Sequence, residues 1–192
     1  MRLLPGERLF VSSIYKFNLY YTSVIQATTK VPINIPQWPW QPLNTWESNT
    51  VLGYPQNVSQ LYCCRNTNTL RLVFNTNRAV HGIIISCDGD ISLKPKIIML
   101  KNLRYKNWAS SLGYNSAIGN DGASRIRMLH YSWPDDSGRP VGPSKSLIVK
   151  YGKGKWSEEE SPAFDEGSGR MVAESSGDEI LVYDFSEFQT CI

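Results

Sequence analysis

The stretch "HGIIISCDGDISLKPKIIML", His81 to Leu100, decides how this chain folds. Two isoleucine-rich runs flank Asp88-Gly89-Asp90. An Asp-Gly pair between apolar runs is a strong hairpin signal, because both residues tolerate the backbone angles of a tight turn. The stretch therefore reads as strand, turn, strand.

The same scheme extends in both directions. In "TLRLVFNT" (Thr69 to Thr76), Leu70, Leu72 and Phe74 fall on one face and Arg71, Val73 and Asn75 on the other. That period of two is the mark of a β-strand. "LYYTSVIQATT" (Leu19 to Thr29) is β-branched and aromatic. "SRIRMLHYSW" alternates, "PDDSGRP" turns the chain, and "KSLIVKY" is a strand ended by "GKGK". "GRMVAES", "SGDE" and "EILVYDFS" repeat strand, turn, strand. No run of a dozen residues has a convincing helical period, and in Gly6 to Gln26 the β-branched content argues against one.

The stretch from Lys30 to Pro55 differs. It carries prolines at 32, 36, 39 and 42 and three tryptophans. Such proline density excludes interior strands and helices, so it reads as an extended Pro/Trp-rich connection. The resulting division is 1–29, an N-terminal strand or degenerate segment; 30–55, the connection; and 56–192, an antiparallel β domain.

Composition removes several function classes. The 192 residues are 41% hydrophobic and 19% charged, enough apolar content for a core. A net charge of +3 spread over scattered lysines gives no nucleic-acid footprint. Leu9 to Ile25 is interrupted by Lys16 and Asn18, so no membrane-spanning helix is expected, and Pro5 to Arg8 interrupt any signal peptide. Cys63, Cys64, Cys87 and Cys191 fit neither a zinc site nor a disulfide framework; reduced thiols in a cytoplasmic or nuclear protein are expected.

His81 and His130 lack partners at metal-ligand spacing, and no nucleotide or hydrolase motif occurs. No catalytic, cofactor or metal site is expected, so the chain reads as a non-enzyme. Asp165 and Glu166 are adjacent acids, but neighbours on an extended chain point to opposite faces and cannot flank one substrate bond. "FDEGSGR" is read as a structural turn. Phe164 buries its ring, Asp165 caps backbone amides, Glu166 is exposed, Gly167 and Gly169 take positive φ, and Arg170 pairs with one of the acids. "WSEEESP" offers Glu158, Glu159 and Glu160 beside Trp156. With Trp133, these are the candidate partner-binding residues, weighed against a plain solvated loop.

The string "LHYSWPDDSGRPV…SLIVKY…WSEEESPAFDEGSGRMVAES…ILVYDFS" resembles the C-terminal region of F-box proteins of mushroom-forming fungi. The matching residues are Trp156, Phe164, Asp165, Glu166, Ser168, Gly169, Arg170, Asp184 and Phe185. "SLGYNSAIGNDGASRIRML" is similar to the glycine-rich stretch upstream in that family. "LLPGERLFVSSI" echoes the Leu-Pro-x-Glu opening of an F-box, but amphipathic helices do not follow, so the F-box itself is absent or degenerate. At 192 residues with a Pro/Trp-rich segment, two to three blades' worth of a propeller is expected, an incomplete array; the resemblance implies an all-β fold of antiparallel, propeller-like sheets. It also implies a non-catalytic protein-interaction role, as the substrate-recognition part of a ubiquitin-ligase adaptor. A Skp1-type adaptor is a partner only if an F-box exists, and open edge strands favour self-association. The alternative is a carbohydrate-binding, lectin-like β protein. Its motive is the set Trp38, Trp40, Trp46, Trp108, Trp133 and Trp156.

Overall fold

A computed structural model describes residues 2–4, 8–12, 16–21, 44–47, 56–87, 95–103, 111–120, 125–135, 146–150, 162–174 and 180–185. They are strands, save for a 3-10 turn at Arg65–Thr67 and the connecting residues. Four antiparallel sheets form, none closed on itself.

The first sheet contains β1 (Arg2–Leu4), β2 (Arg8–Ser12), β3 (Lys16–Tyr21) and β4 (Asn44–Glu47). The second contains β5 (Tyr62–Cys64), β6 (Thr69–Asn75), β7 (Ala79–Ser86) and β8 (Lys96–Asn102). The third runs in the order β12-β11-β10-β9, from Ser146–Lys150, Arg125–His130, Ser116–Asn120 and Ser111–Leu112. The fourth has three strands, β13 (Ala163–Asp165), β14 (Arg170–Glu174) and β15 (Ile180–Asp184). Each chain-order neighbour pairs with the next, so each sheet is a meander whose first strand is an edge. The strands around the opening stretch, β7 and β8, pair antiparallel, although the Asp-Gly turn itself lies outside the described residues.

Three apolar clusters join the sheets in series. Phe10, Phe17 and Leu19 meet Leu70, Leu72, Phe74 and Ile83 between the first and second sheets. Val73 and Val80 meet Ala117, Leu129, Tyr131 and Trp133 between the second and third. Ile118, Ile126 and Met128 meet Met171, Ala173 and Phe185 between the third and fourth. The period of two makes this possible. In β6, Leu72 points to one neighbouring sheet and Val73 to the other. A strand buried on both faces reads as a near-continuous apolar run, which accounts for "GIII" in β7. Fully burying one such side chain contributes about 1.5–3 kcal/mol.

Among the described residues four sheets form, since residues 2–21 build three strands, and β4 is a strand inside the Pro/Trp-rich stretch, where proline density was expected to exclude one. Leu3, Leu4 and Arg8–Ser12 of the F-box-like opening are strand. No helix among the described residues is long and apolar enough to cross a membrane.

Candidate functional site

The edge strands that begin the second, third and fourth sheets lie close together. β9 touches β13 and, in the second sheet, β6, while Tyr62 of β5 packs edge-on against Tyr114 just beyond β9, ring centroids 5.1 Å apart. Between them opens a cleft of about 950 Å³, lined by residues 57–60 and Tyr62, by residues 111–116 except Tyr114, by His130, and by residues 164–167. The segment before β5 is held at its edge by an isolated bridge between Val58 and Phe74. There Ser59 donates its N–H to the Val73 carbonyl at 2.8 Å, while its Oγ accepts from the Val73 N–H at 2.9 Å.

The floor is the β9–β10 turn, Gly113 to Ser116, whose backbone groups are almost all paired. The Tyr131 hydroxyl lies 2.9 Å from the carbonyls of both Gly113 and Ser116. The Tyr131 N–H donates to the Asn115 carbonyl at 2.8 Å, and Trp133 Nε1 donates to the Tyr114 carbonyl at 2.8 Å. The amides of Tyr114 and Asn115 donate to the two oxygens of Glu166, the latter at 2.7 Å. Glu166 thus fastens the fourth sheet to the third. Gly113 is needed for this, since a Cβ there would lie 2.7 Å from the Glu166 carboxyl carbon. Burial is the main influence on the Glu166 carboxyl and raises its pKa, against the lowering effect of the donated N–H bonds. Burial likewise pushes the Tyr131 hydroxyl well above its ordinary value.

Behind the floor, Tyr114 stacks on Trp133 with ring centroids 5.3 Å apart, and Arg71 sits 5.0 Å over the Trp133 ring. Arg71 also donates to the Tyr114 hydroxyl at 2.8 Å, with Cys64 Sγ 3.2 Å from the same oxygen. Tyr114 is raised to about 12, first by burial and then by its bond with Cys64.

Trp133, a candidate partner-binding residue, is buried between the second and third sheets, where its flat ring fills the space left by Gly82. Trp156, Glu158, Glu159 and Glu160 lie outside the described residues. The turn at 166–169 is formed. Asp165 Oδ1 accepts from the Gly167 N–H at 3.1 Å, and Gly169 has φ 68°. Gly167 does not have positive φ. Phe164 is half-buried against the third cluster. Glu166 is neither exposed nor local to its turn, because it reaches across to the next sheet. Arg170 pairs with Asp184 instead, at 3.6 Å, although the register sets it opposite both Asp165 on β13 and Asp184 on β15.

The cleft residues Asn57, Gln60, Tyr62, Ser111 and Asn115 escape sequence reasoning. They sit in separate segments, and no motif joins them. The usable signal is the recurrence of first strands, beginning at Tyr62, Ser111 and Ala163.

His81 is buried inside β7 and stacks on Phe74 at 4.9 Å, and burial lowers it to about 4. Cys63, Cys64 and Cys87 are free thiols. No group of three or more His, Cys, Asp or Glu residues suited to a metal occurs among the described residues. No protein-family model matches the chain, and no curated protein matches it either.

Proposed function

We propose that the chain is a non-catalytic protein-interaction module in which the four sheets are arranged as propeller-like blades and the cleft receives the partner. The observation that carries this reading is the meeting of three first strands around one opening. Propellers bring the first strands of their blades together around a central channel, and binding sites are concave with a few convergent polar groups. The cleft walls supply amides and hydroxyls from the second and third sheets and carboxylates from the fourth, on a floor fixed by Tyr131, Trp133 and Glu166. The resemblance to the substrate-recognition part of fungal F-box proteins supports the same reading. Free thiols fit a cytoplasmic or nuclear setting. Because residues 2–4 and 8–12 are strands, a Skp1-type adaptor has no helical F-box to grip there.

The experiment is to fill the opening with Ser111→Trp and to carry Val182→Thr, on the far face of the fourth sheet, as control. Partner capture lost with Ser111→Trp and kept with Val182→Thr supports the reading. Capture kept by both removes the cleft from it.

The lectin-like alternative has one observation in its favour, the amide and hydroxyl lining beside the half-buried Tyr62 ring. Trp133 no longer supports it, being buried. Binding on a glycan array, abolished by Ser111→Trp, is the result that would install it.

A further inference from the structure

We infer that the cleft takes an extended peptide carrying a lysine or arginine, which adds to the open edge of β9 and sets its cation against Asp165. This rests on reading the cleft as the recognition site.

The first ground is backbone geometry. Leu112 faces Ala117 and Ser111 faces Ile118 across the β9–β10 pair. The Gly113 N–H donates to the Ser116 carbonyl at 2.7 Å, which makes 113 and 116 a hydrogen-bonded pair. Hydrogen-bonded and non-bonded pairs alternate in an antiparallel ladder, so Leu112 and Ala117 form a non-bonded pair. The N–H and C=O of Leu112 therefore turn away from β10, to the open side of the strand, and Leu112 lines the cleft. A donor and an acceptor on an exposed edge are what an added strand pairs with. A glycan offers no matching backbone ladder.

The second ground is charge. Among the described residues two carboxylates, Asp165 and Glu166, line the cleft, and no lysine or arginine does. Glu166 is engaged by the turn amides. Asp165 is exposed at the rim, and bonds from Ser168 and then Gly167 hold its carboxyl below the usual range, so it is ionised at neutral pH. Such a site repels phosphorylated or acidic segments and attracts basic ones.

The test uses the full chain and a displayed library of random octapeptides. A selected peptide is then synthesised and its affinity measured by fluorescence anisotropy. Expected are enrichment of Lys or Arg and loss of that preference in Asp165→Asn. Leu112→Pro removes the outward N–H without touching the ladder to β10, as proline is tolerated at such edge positions. Leu112→Ala removes the side chain and keeps the N–H. The proline variant should bind about tenfold more weakly than the alanine variant, the worth of one hydrogen bond. Should Leu112→Pro fail to fold, N-methylating the peptide one amide at a time reads the same contact from the ligand side. Sensitivity at alternate positions is expected.

No enriched peptide, or uniform tolerance of N-methylation, overturns the inference. Enriched peptides without a basic residue overturn its charge component. Glycan binding blocked by Ser111→Trp overturns the peptide and leaves the cleft as the recognition site. Peptide binding indifferent to Ser111→Trp overturns both.

Discussion

Gly82→Ala is a one-methyl change with a calculable penalty. Gly82 lies in β7 opposite Val73, and the Trp133 ring rests directly on it. A Cβ at this position would stand 2.5 Å from Trp133 Cζ3 and 2.6 Å from Cη2, with Ile98 Cγ1 at 3.3 Å. Carbon atoms prefer about 3.5–4.0 Å, so the ring must move by roughly an ångström. It has little freedom to do so. Its Nε1 is tied to the Tyr114 carbonyl, its face is stacked on Tyr114, and Arg71 covers it. Overpacking of this kind costs about 1–3 kcal/mol. For a chain of this size that is a fall in melting temperature of roughly 2–12 °C. The assay is thermal and urea unfolding followed by far-ultraviolet circular dichroism, in wild type, Gly82→Ala, Trp133→Phe and the double variant. Phenylalanine withdraws the ring atoms that the added methyl group would strike. In that background the Gly82→Ala change should cost less than about 1 kcal/mol, a coupling readable from the cycle. Equal cost in both backgrounds, or a silent Gly82→Ala, refutes the reasoning.

Glu166→Ala leaves the Tyr114 and Asn115 amides without their acceptor and should cost about 1–3 kcal/mol in a urea melt; Asp165→Ala, fully exposed, should leave the melting temperature nearly unchanged. His81 is lowered from 6.5 to about 4 by burial, so the unfolded chain binds the extra proton between those values. Stability should therefore fall as pH drops through that window, by on the order of 3 kcal/mol, and His81→Leu should flatten the urea midpoints across it. Glu166 runs the other way: its raised carboxyl withdraws stability as pH rises through its folded value, so the His81→Leu background should expose a small gain on acidification. Gly169→Val places a β-branched residue at φ 68° and should cost on the order of 1–3 kcal/mol by the same melts. In the native protein Cys63, exposed, should react with a thiol reagent before half-buried Cys64 and Cys87.

Strands were legible where alternation was strong. Thr69–Asn75, Arg125–His130 and Arg170–Glu174 follow from local pattern, because the faces of a strand are set by its period and nothing distant is needed. β4 was hidden, since Asn44–Glu47 is four residues in a proline-dense stretch and owes its place to pairing with β3. The cleft was illegible for the same reason on a larger scale. Glu166 and Asn115 are far apart in sequence, and only the packing of the fourth sheet on the third sets one against the other's amide. The burial of Trp133 is not legible locally, because it depends on whether a glycine lies beneath the ring, and Gly82 belongs to a different sheet.

The serial arrangement of the three apolar clusters has a consequence for how the molecule comes apart. Among the described residues each apolar cluster joins one sheet to the next, as in a repeat array, where cooperativity is passed from unit to unit. Among the described residues the fourth sheet shares a cluster with the third alone. Its other face leaves Val172 at 41%, Val182 at 62% and Ile180 at 72% exposure. The Glu166 latch is a polar tie that keeps it in place. Amide exchange should accordingly be graded, slowest in β6 and β7 and fastest in β14 and β15. The partially opened form would present Ile118, Ile126 and Met128 to solvent, a ready surface for misassembly between chains.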